Sequence, residues 1–210
     1  MSEKEDKYDG EQVLVVDRRQ IEAYGHALQG IIWNPERGYS RAVDTAQFAL
    51  RADAEEDPSL KQVIPYCFLK DEDEKIFCYK RTKLVGEERL EGKRSIGIGG
   101  HINPCDDPGS GLSSNVLIDN AIKRELREEV DFGDAKFRSF WPYAIINDDW
   151  DDVGRVHLGI VGRISILDEI KIKLKDPALI EGQWMTIEQL WQGRNQLERW
   201  SQLLVTGLRW

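Results

Sequence analysis

The stretch Lys123-Arg124-Glu125-Leu126-Arg127-Glu128-Glu129-Val130 decides how the rest of the chain is interpreted. On a helix, which turns by about 100° per residue, Glu125 and Glu129 lie one turn apart and face the same way as Ile118 and Ile122. The two carboxylates therefore continue the apolar face of the helix. Acids on a face that packs against the interior are costly to desolvate. This pattern therefore indicates a specific partner that compensates their charge.

A divalent cation is one such partner. Glu128 lies beside the other two acids, the three repel one another, and the helix dipole disfavours negative charge near the end where they lie. Carboxylate oxygens select hard ions, which favours Mg²⁺ or Mn²⁺. The alternative is a solvated helix with charge pairs four residues apart, the commoner meaning of an Arg/Glu run. The upstream Gly99-Gly100 turn favours the metal, because glycines let backbone carbonyls approach the same ion.

Through these residues the sequence resembles the Nudix (MutT-like) hydrolases. Their motif is a Gly, five residues, Glu, seven residues, and then Arg-Glu-apolar-x-Glu-Glu-x-Gly-apolar. Residues 124–129 match its second half, Gly100 matches its opening Gly, and Phe132 matches its last apolar position. Val116 stands in place of the upstream Glu, and Asp131 stands in place of the late Gly.

The spacing departs from that motif in one place. Arg124 lies 24 positions after Gly100, where the motif has 14, so residues 103–114 hold about ten extra positions. This insertion affects the expected shape of the substrate loop more than the metal site. The resemblance covers residues 61–190, and several of its phrases resemble a subgroup labelled only as predicted phosphoesterases.

The resemblance implies an α+β fold, a Nudix-like α/β/α sandwich with a mixed β-sheet. It implies that Glu125, Glu128 and Glu129 bind Mg²⁺ or Mn²⁺, that Arg124 orients these glutamates, and that a carbonyl near Gly100 completes the site. The implied reaction is hydrolysis of a diphosphate linkage in a nucleoside diphosphate joined to another group. Glu129 and Glu128 are then catalytic as well as metal-binding, with Glu128 sharing the metal or assisting deprotonation of water.

Further residues are candidates for the same site. Glu181 precedes a strand containing Trp184, where it is either a base or metal ligand or a surface acid. The loop of aspartates at 148–152 is a second source of a base. Arg81 and the Gly99-Gly100 turn are expected to contact the substrate, although scattered surface cations are the commoner meaning of the basic residues in this region.

A structural zinc at residues 101–106 is not expected from the sequence. His101, Cys105 and Asp106 lack the second pair of ligands that a structural zinc needs. His157 lies within a strand-like run, where a histidine is more often a hydrogen-bonded packing residue than a catalyst.

Composition limits the possible partners of this chain of 210 residues and 24.2 kDa. The polar N-terminus has no apolar segment of a secretory signal, and no apolar run approaches the roughly 18 residues of a membrane span. Three cysteines do not form a disulfide framework, which favours the cytoplasm. A net charge of −9 disfavours a nucleic-acid backbone. A small-molecule nucleoside diphosphate derivative is the expected partner, with neither nucleic acid nor membrane, and the resembling family is often homodimeric.

The domain prediction divides the chain at an acidic stretch. Residues 1–60 are expected to form an N-terminal extension, an acidic tail with a short strand and a helix, that packs on a main domain of residues 61–210. Within the extension, residues 12–17 predict the strand, residues 18–32 predict the helix, and residues 51–58 predict a linker.

The main domain is expected to open with a hairpin of residues 63–69 and 76–79, followed by a helix from Ser113 or Ser114 to about Val130. Two other functions stay open. The fold could serve as a non-catalytic module that senses a nucleotide or binds a protein, which the lengthened loop favours. An isomerase on this fold would need a positioned cysteine, for which Cys105 is the candidate.

Overall fold

The structure is a computed structural model. It describes residues 8, 10–23, 29–33, 43, 45–82, 92–107, 109, 114–133, 140–167 and 172–209. By their internal contacts the residues divide into two compact units. Unit 1 comprises Met1–Pro65, Gly100–Ala121 and Tyr143–Val161, and unit 2 comprises Tyr66–Gly99, Ile122–Pro142 and Gly162–Trp210.

Twelve strands are present in the described residues. They are β1 (Gln12–Asp17), β2 (Gly30–Trp33), β3 (Gln47–Leu50), β4 (Leu60–Lys70), β5 (Ile76–Arg81), β6 (Arg94–Ser95), β7 (Gly97–Ile98), β8 (Val130–Asp131), β9 (Trp141–Asn147), β10 (His157–Ser165), β11 (Lys173–Leu174) and β12 (Leu179–Met185). The α-helices are α1 (Arg18–Ala23), α2 (Arg51–Ala54), α3 (Ser114–Glu129), α4 (Asp152–Val156), α5 (Ile187–Gln192) and α6 (Arg199–Leu208). Short 3₁₀ turns lie at Pro104–Asp106 and Arg194–Gln196.

The main sheet has the strand order β12-β5-β4-β10-β9-β2, and β1, β3, β6 and β7 pair beside this path. Strands β8 and β11 form a separate antiparallel pair. Helices and strands mix without a regular alternation, which confirms the predicted α+β class with a mixed sheet. Among the described helices, none is both long enough and apolar enough to cross a bilayer.

In unit 1, strand β1 pairs antiparallel with β3 and with Leu60–Gln62 of β4. Val13 and Val15 are fully buried and pack with Ala54 of α2. The prediction of a linker at 51–58 is therefore wrong for its first half, because Ala54 belongs to the core and residues 51–54 form a helical turn around it.

The helix predicted over residues 18–32 is also wrong at its end. Helix α1 stops at Ala23, and residues 30–33 form strand β2, which pairs with β9. Gly30 has a φ of 99°, outside the helical region, and the β-branched and aromatic residues that follow it favour a strand.

Unit 2 is organised by the predicted hairpin, which the structure confirms as β4 and β5. Strand β4 is buried at every position from 61 to 69, as expected for an apolar run covered on both faces. The buried core joins side chains of the hairpin, of α3 and of β12. It consists of Cys67, Leu69, Phe77, Tyr79, Ile98, Ile122, Leu126, Val130, Ile164, Ile166 and Leu179.

Helix α3 begins and ends within one residue of its prediction. Ile118, Ala121, Ile122 and Leu126 are buried at the spacing of one helical face. The helix end is anchored in unit 2, where the backbone N–H of Lys175 donates to the carbonyl of Glu129 over 2.8 Å. This bond satisfies one of the carbonyls that a helix end leaves without an intrahelical partner, and it fixes the turn that carries the glutamates.

Candidate metal and hydrolase site

Glu129 on α3 carries a strongly perturbed carboxyl group. Burial raises the pKa of Glu129 to about 8; the charge of Arg81 opposes this shift, while Glu125, Asp176 and Glu128 add to it. A carboxylate in this position is costly in the absence of a cation because it is desolvated and faces three like charges. The contribution of Asp176, which follows strand β11, was not anticipated, since it lies 47 positions from Glu129.

Arg81, expected at the substrate, lies at the end of β5. Its Nη2 donates to the Tyr79 hydroxyl at 3.0 Å, and that hydroxyl donates to the carbonyl of Gly97 at 2.6 Å. Burial lowers the pKa of Arg81, but the neighbouring Tyr79 and Glu129 more than reverse this effect, so its pKa stays above the ordinary value. The guanidinium is therefore a fixed positive charge close enough to Glu129 to act on its ionisation.

Arg124 contacts two of the glutamates. Its Nη1 lies 2.6 Å from an oxygen of Glu125 and 3.7 Å from an oxygen of Glu128. The side chain of Glu125 is 13% exposed and that of Glu128 is 59% exposed. One cation thus bridges a sheltered and a solvated carboxylate on the same helical turn, which restricts the rotamers of both.

The carboxylates of α3 are the donor type that a hard metal ion prefers. Among the described residues, neither the buried Oε2 of Glu129 nor the buried Nε of Arg81 has a hydrogen-bond partner. A buried carboxylate oxygen without a donor is rare, and a cation is one of the few groups that satisfies it. Oxygen ligands on one side of α3 match the preference of Mg²⁺ and Mn²⁺.

The glycine turn follows strand β7. Ile98 pairs with Cys67 in β4, and the pKa of the buried Cys67 thiol is raised first by burial and then by the charges of Glu129 and Glu125. The last residue of unit 2, Gly99, directly follows Ile98, so the chain leaves β7 beside these charges. Gly100 opens the next segment of unit 1, and both glycines are half-buried.

Glu181 shares none of the contacts described above for Glu125, Glu128 and Glu129. Its carboxylate is within 3.4 Å of Lys80 and 3.5 Å of Arg94. Side chains alternate along a strand, so Lys80 lies on the face of β5 opposite Arg81. Glu181 has a φ of 54° at a register shift of β12, an unusual conformation for a residue with a side chain.

Basic residues gather around Glu181 more closely than the sequence suggests. Lys80, Lys93 and Arg94 line one cleft of unit 2 together with Glu181 and the backbone of Gly92. Three cations in one cleft favour a bound anion. The sequence offers these cations for phosphate binding, with scattered surface cations as the commoner meaning, and the pairing of Lys80 with Arg94 across β5 and β6 brings Lys80 beside the other two.

The aspartate loop has structural partners in unit 1. Asp149 accepts hydrogen bonds from Lys61 at 2.6 Å and Arg18 at 2.7 Å. Although burial raises the pKa of Asp149, the bonds to Arg18 and Lys61 lower it to about 2. The Asp151 side chain accepts the N–H of Gly154 at 2.8 Å and so caps α4. These hydrogen bonds give Asp149 and Asp151 structural roles, so a catalytic role is not needed to account for their presence in the loop.

Two solved structures share this fold. Tm1382, described as a candidate Nudix hydrolase, aligns over 94% of this chain and 98% of its own, with a TM-score of 0.76 and 27% identity. DR0079 from Deinococcus radiodurans aligns over 92% of this chain and 98% of its own, with a TM-score of 0.52 and 15% identity, which shows the fold alone. With the Arg-Glu-Leu-Arg-Glu-Glu helix in place, the chain belongs to the Nudix (MutT-like) hydrolase superfamily.

The chain is also similar in sequence to a curated protein. Protein YmaB of Bacillus subtilis is 40% identical over 157 residues, which cover 74% of this chain and 74% of that protein. No protein-family model matches the chain.

Proposed function

We propose that the protein is a metal-dependent Nudix hydrolase that cleaves the diphosphate linkage of a nucleoside diphosphate joined to another group. The observation that carries the proposal is Glu129, a buried carboxyl with a pKa raised to about 8 and an oxygen that has no partner among the described residues. Ionisation of such a group destabilises the metal-free fold. Perturbed groups of this kind are typical of functional sites, where a bound cation stabilises the carboxylate.

Each residue has a role in this proposal. Glu125 and Glu129 hold Mg²⁺ or Mn²⁺, Glu128 shares the ion or accepts the proton of the attacking water, and Arg124 keeps Glu125 and Glu128 in position. When bound, the ion polarises a phosphoryl oxygen and lowers the pKa of water. Arg81 supplies a fixed positive charge beside Glu129 that favours its ionised form.

The chain contributes two further groups for substrate binding and proton transfer. Glu181, held between Lys80 and Arg94, stays a predicted second candidate for the base. The predicted role of the Gly99-Gly100 turn in binding the substrate is retained with these assignments. We also retain the predictions of a homodimer, of the cytoplasm, and of binding to neither nucleic acid nor membrane.

The experiment is phosphate-release screening with Mg²⁺ or Mn²⁺ against nucleotide sugars, dinucleoside polyphosphates and oxidised nucleotides. We expect turnover of at least one diphosphate that is lost in chelator and nearly lost in Glu129→Gln. The matched control is Glu188→Gln, which removes an exposed carboxylate of α5. Turnover by Glu129→Gln within a few-fold of the parent, on any substrate, would refute Glu129 as a ligand.

A non-catalytic nucleotide-sensing or protein-binding module is the alternative. It is favoured by Val116, which stands where the motif has a Glu, and by the additional residues in 103–114. Calorimetry against the same panel separates the two, because a sensor binds a nucleotide with no turnover under any metal.

A further inference from the structure

We propose that Glu55, His101 and His157 form a zinc site in unit 1, separate in its residues from the glutamates of α3. One ligand atom from each of the three side chains lies within 4.8 Å of the other two. Glu55 follows α2, His101 follows the glycine turn, and His157 is the first residue of β10. Three segments that are distant in sequence thus present two imidazoles and one carboxylate to a single point.

The hydrogen bonds of His157 set its tautomer. Its Nδ1 lies 2.7 Å from the carbonyl of Val153, which only accepts, so Nδ1 carries the proton. In the neutral ring Nε2 then carries the lone pair that can bind a metal ion. Metal-bound histidines in proteins typically donate their other ring N–H in this way, which fixes the ring and increases its basicity.

The spacing of the two rings fits a tetrahedral ion. Nε2 of His157 lies 3.4 Å from Nε2 of His101. Two nitrogens each about 2.0–2.1 Å from a tetrahedral zinc are about 3.3–3.4 Å apart. The rings therefore already stand at the separation that two zinc ligands adopt.

Neighbouring cations hold two of the three ligands in place. Lys61 is fully buried, and its Nζ donates to the carbonyl of Gly154 at 2.8 Å and to that of His157 at 3.3 Å. On the carboxylate side, Nε of Arg51 lies 3.4 Å from an oxygen of Glu55. Such second contacts orient ligands before the ion binds.

Zinc suits this ligand set. Two imidazoles with one carboxylate suit a borderline metal, whereas Mg²⁺ prefers oxygen alone. Three protein ligands leave a fourth position for water or another donor. The competing explanation for the short distance between the rings is a hydrogen bond from Nε2–H of His101 to Nε2 of His157, in which Glu55 takes no part.

The test is isothermal titration of the full chain with Zn²⁺ in excess Mg²⁺, after chelator dialysis, in a Glu125→Gln, Glu129→Gln background that removes the carboxylate site. We expect about one zinc per chain, bound at least about tenfold more weakly by His101→Gln and by Glu55→Gln. Both side chains are half-buried, so these variants test the site even if His157→Gln unfolds. Circular dichroism melts check that each variant is folded.

The neighbouring acid Glu56, which is exposed, provides the matched control. Glu56→Gln should bind zinc as the background protein does. The proposal fails if the background binds no zinc, if His101→Gln and Glu55→Gln bind it unchanged, or if Glu56→Gln weakens it equally. Loss in His101→Gln with no change in Glu55→Gln refutes the three-ligand site.

Discussion

Glu129 makes the stability of the metal-free protein depend on pH in an unusual direction. The pKa of its carboxyl rises from 4.5 to about 8 on folding, chiefly through burial. As the pH increases above 4.5, the unfolded chain ionises first while the folded chain still holds the proton. Stability is therefore fully present below about pH 4.5, decreases up to about pH 8, and shows no further loss from this group above that value.

The size of the effect follows from the shift. Each unit of pKa difference corresponds to about 1.4 kcal/mol. Between about pH 5.5 and about pH 8.5, the loss that Glu129 causes grows by about 3 kcal/mol. Glu129→Gln keeps the shape of the neutral acid and cannot ionise, so it should be more stable than the parent in chelator, by a margin that widens by this amount.

Urea unfolding in chelator at the two pH values measures the margin. With a slope of about 2–3 kcal/mol per molar urea, the midpoint difference between variant and parent should grow by about 1 M. Glu188→Gln, exposed on α5, should follow the parent at both pH values. An equal margin at both pH values would show that Glu129 is not a buried, unpaired acid, and the argument for its role as a ligand would lose its basis.

Two other predictions concern the same unit. Gly97→Ala should destabilise the fold by about 1–3 kcal/mol in thermal melts, because the new Cβ would lie 1.9 Å from the Tyr66 ring; Gly193→Ala, with its nearest atom at 3.5 Å, is the control and should be nearly neutral. Glu181→Gln should lower kcat with little change in magnesium affinity if Glu181 is the base, and an unchanged kcat in steady-state assays would move that role to Glu128 or to the aspartate loop at 148–152.

Local periodicity explains which parts of the site could be predicted. Helix α3 and the shared side of Glu125 and Glu129 follow from a 3.6-residue repeat within one segment. The proximity of Arg81 to Glu129 depends on the register of β5 against its neighbours, which no local pattern encodes. The same is true of His101 and His157, which the sequence separates by 56 positions.

The errors have a similar origin. Residues 30–33 form a strand only because β9 supplies its partner, and residues 51–54 become a core turn only because Val13 and Val15 lie against Ala54. Both are cases in which tertiary packing overrides composition. The division at residue 60 and the assigned roles of the site residues stay predictions, with the experiments above to test the latter.

The pairing of β1 with Leu60–Gln62 has a consequence for any shortened form of the chain. Removing residues 1–60 would take away β1 and leave the backbone N–H and C=O groups at the start of β4 without their ladder. Residues 61–69 are an unbroken buried run, with β-branched and aromatic side chains among them. Unpaired backbone groups at the start of a strand offer sites for pairing between molecules, so we expect a chain without residues 1–60 to aggregate more readily than the full chain.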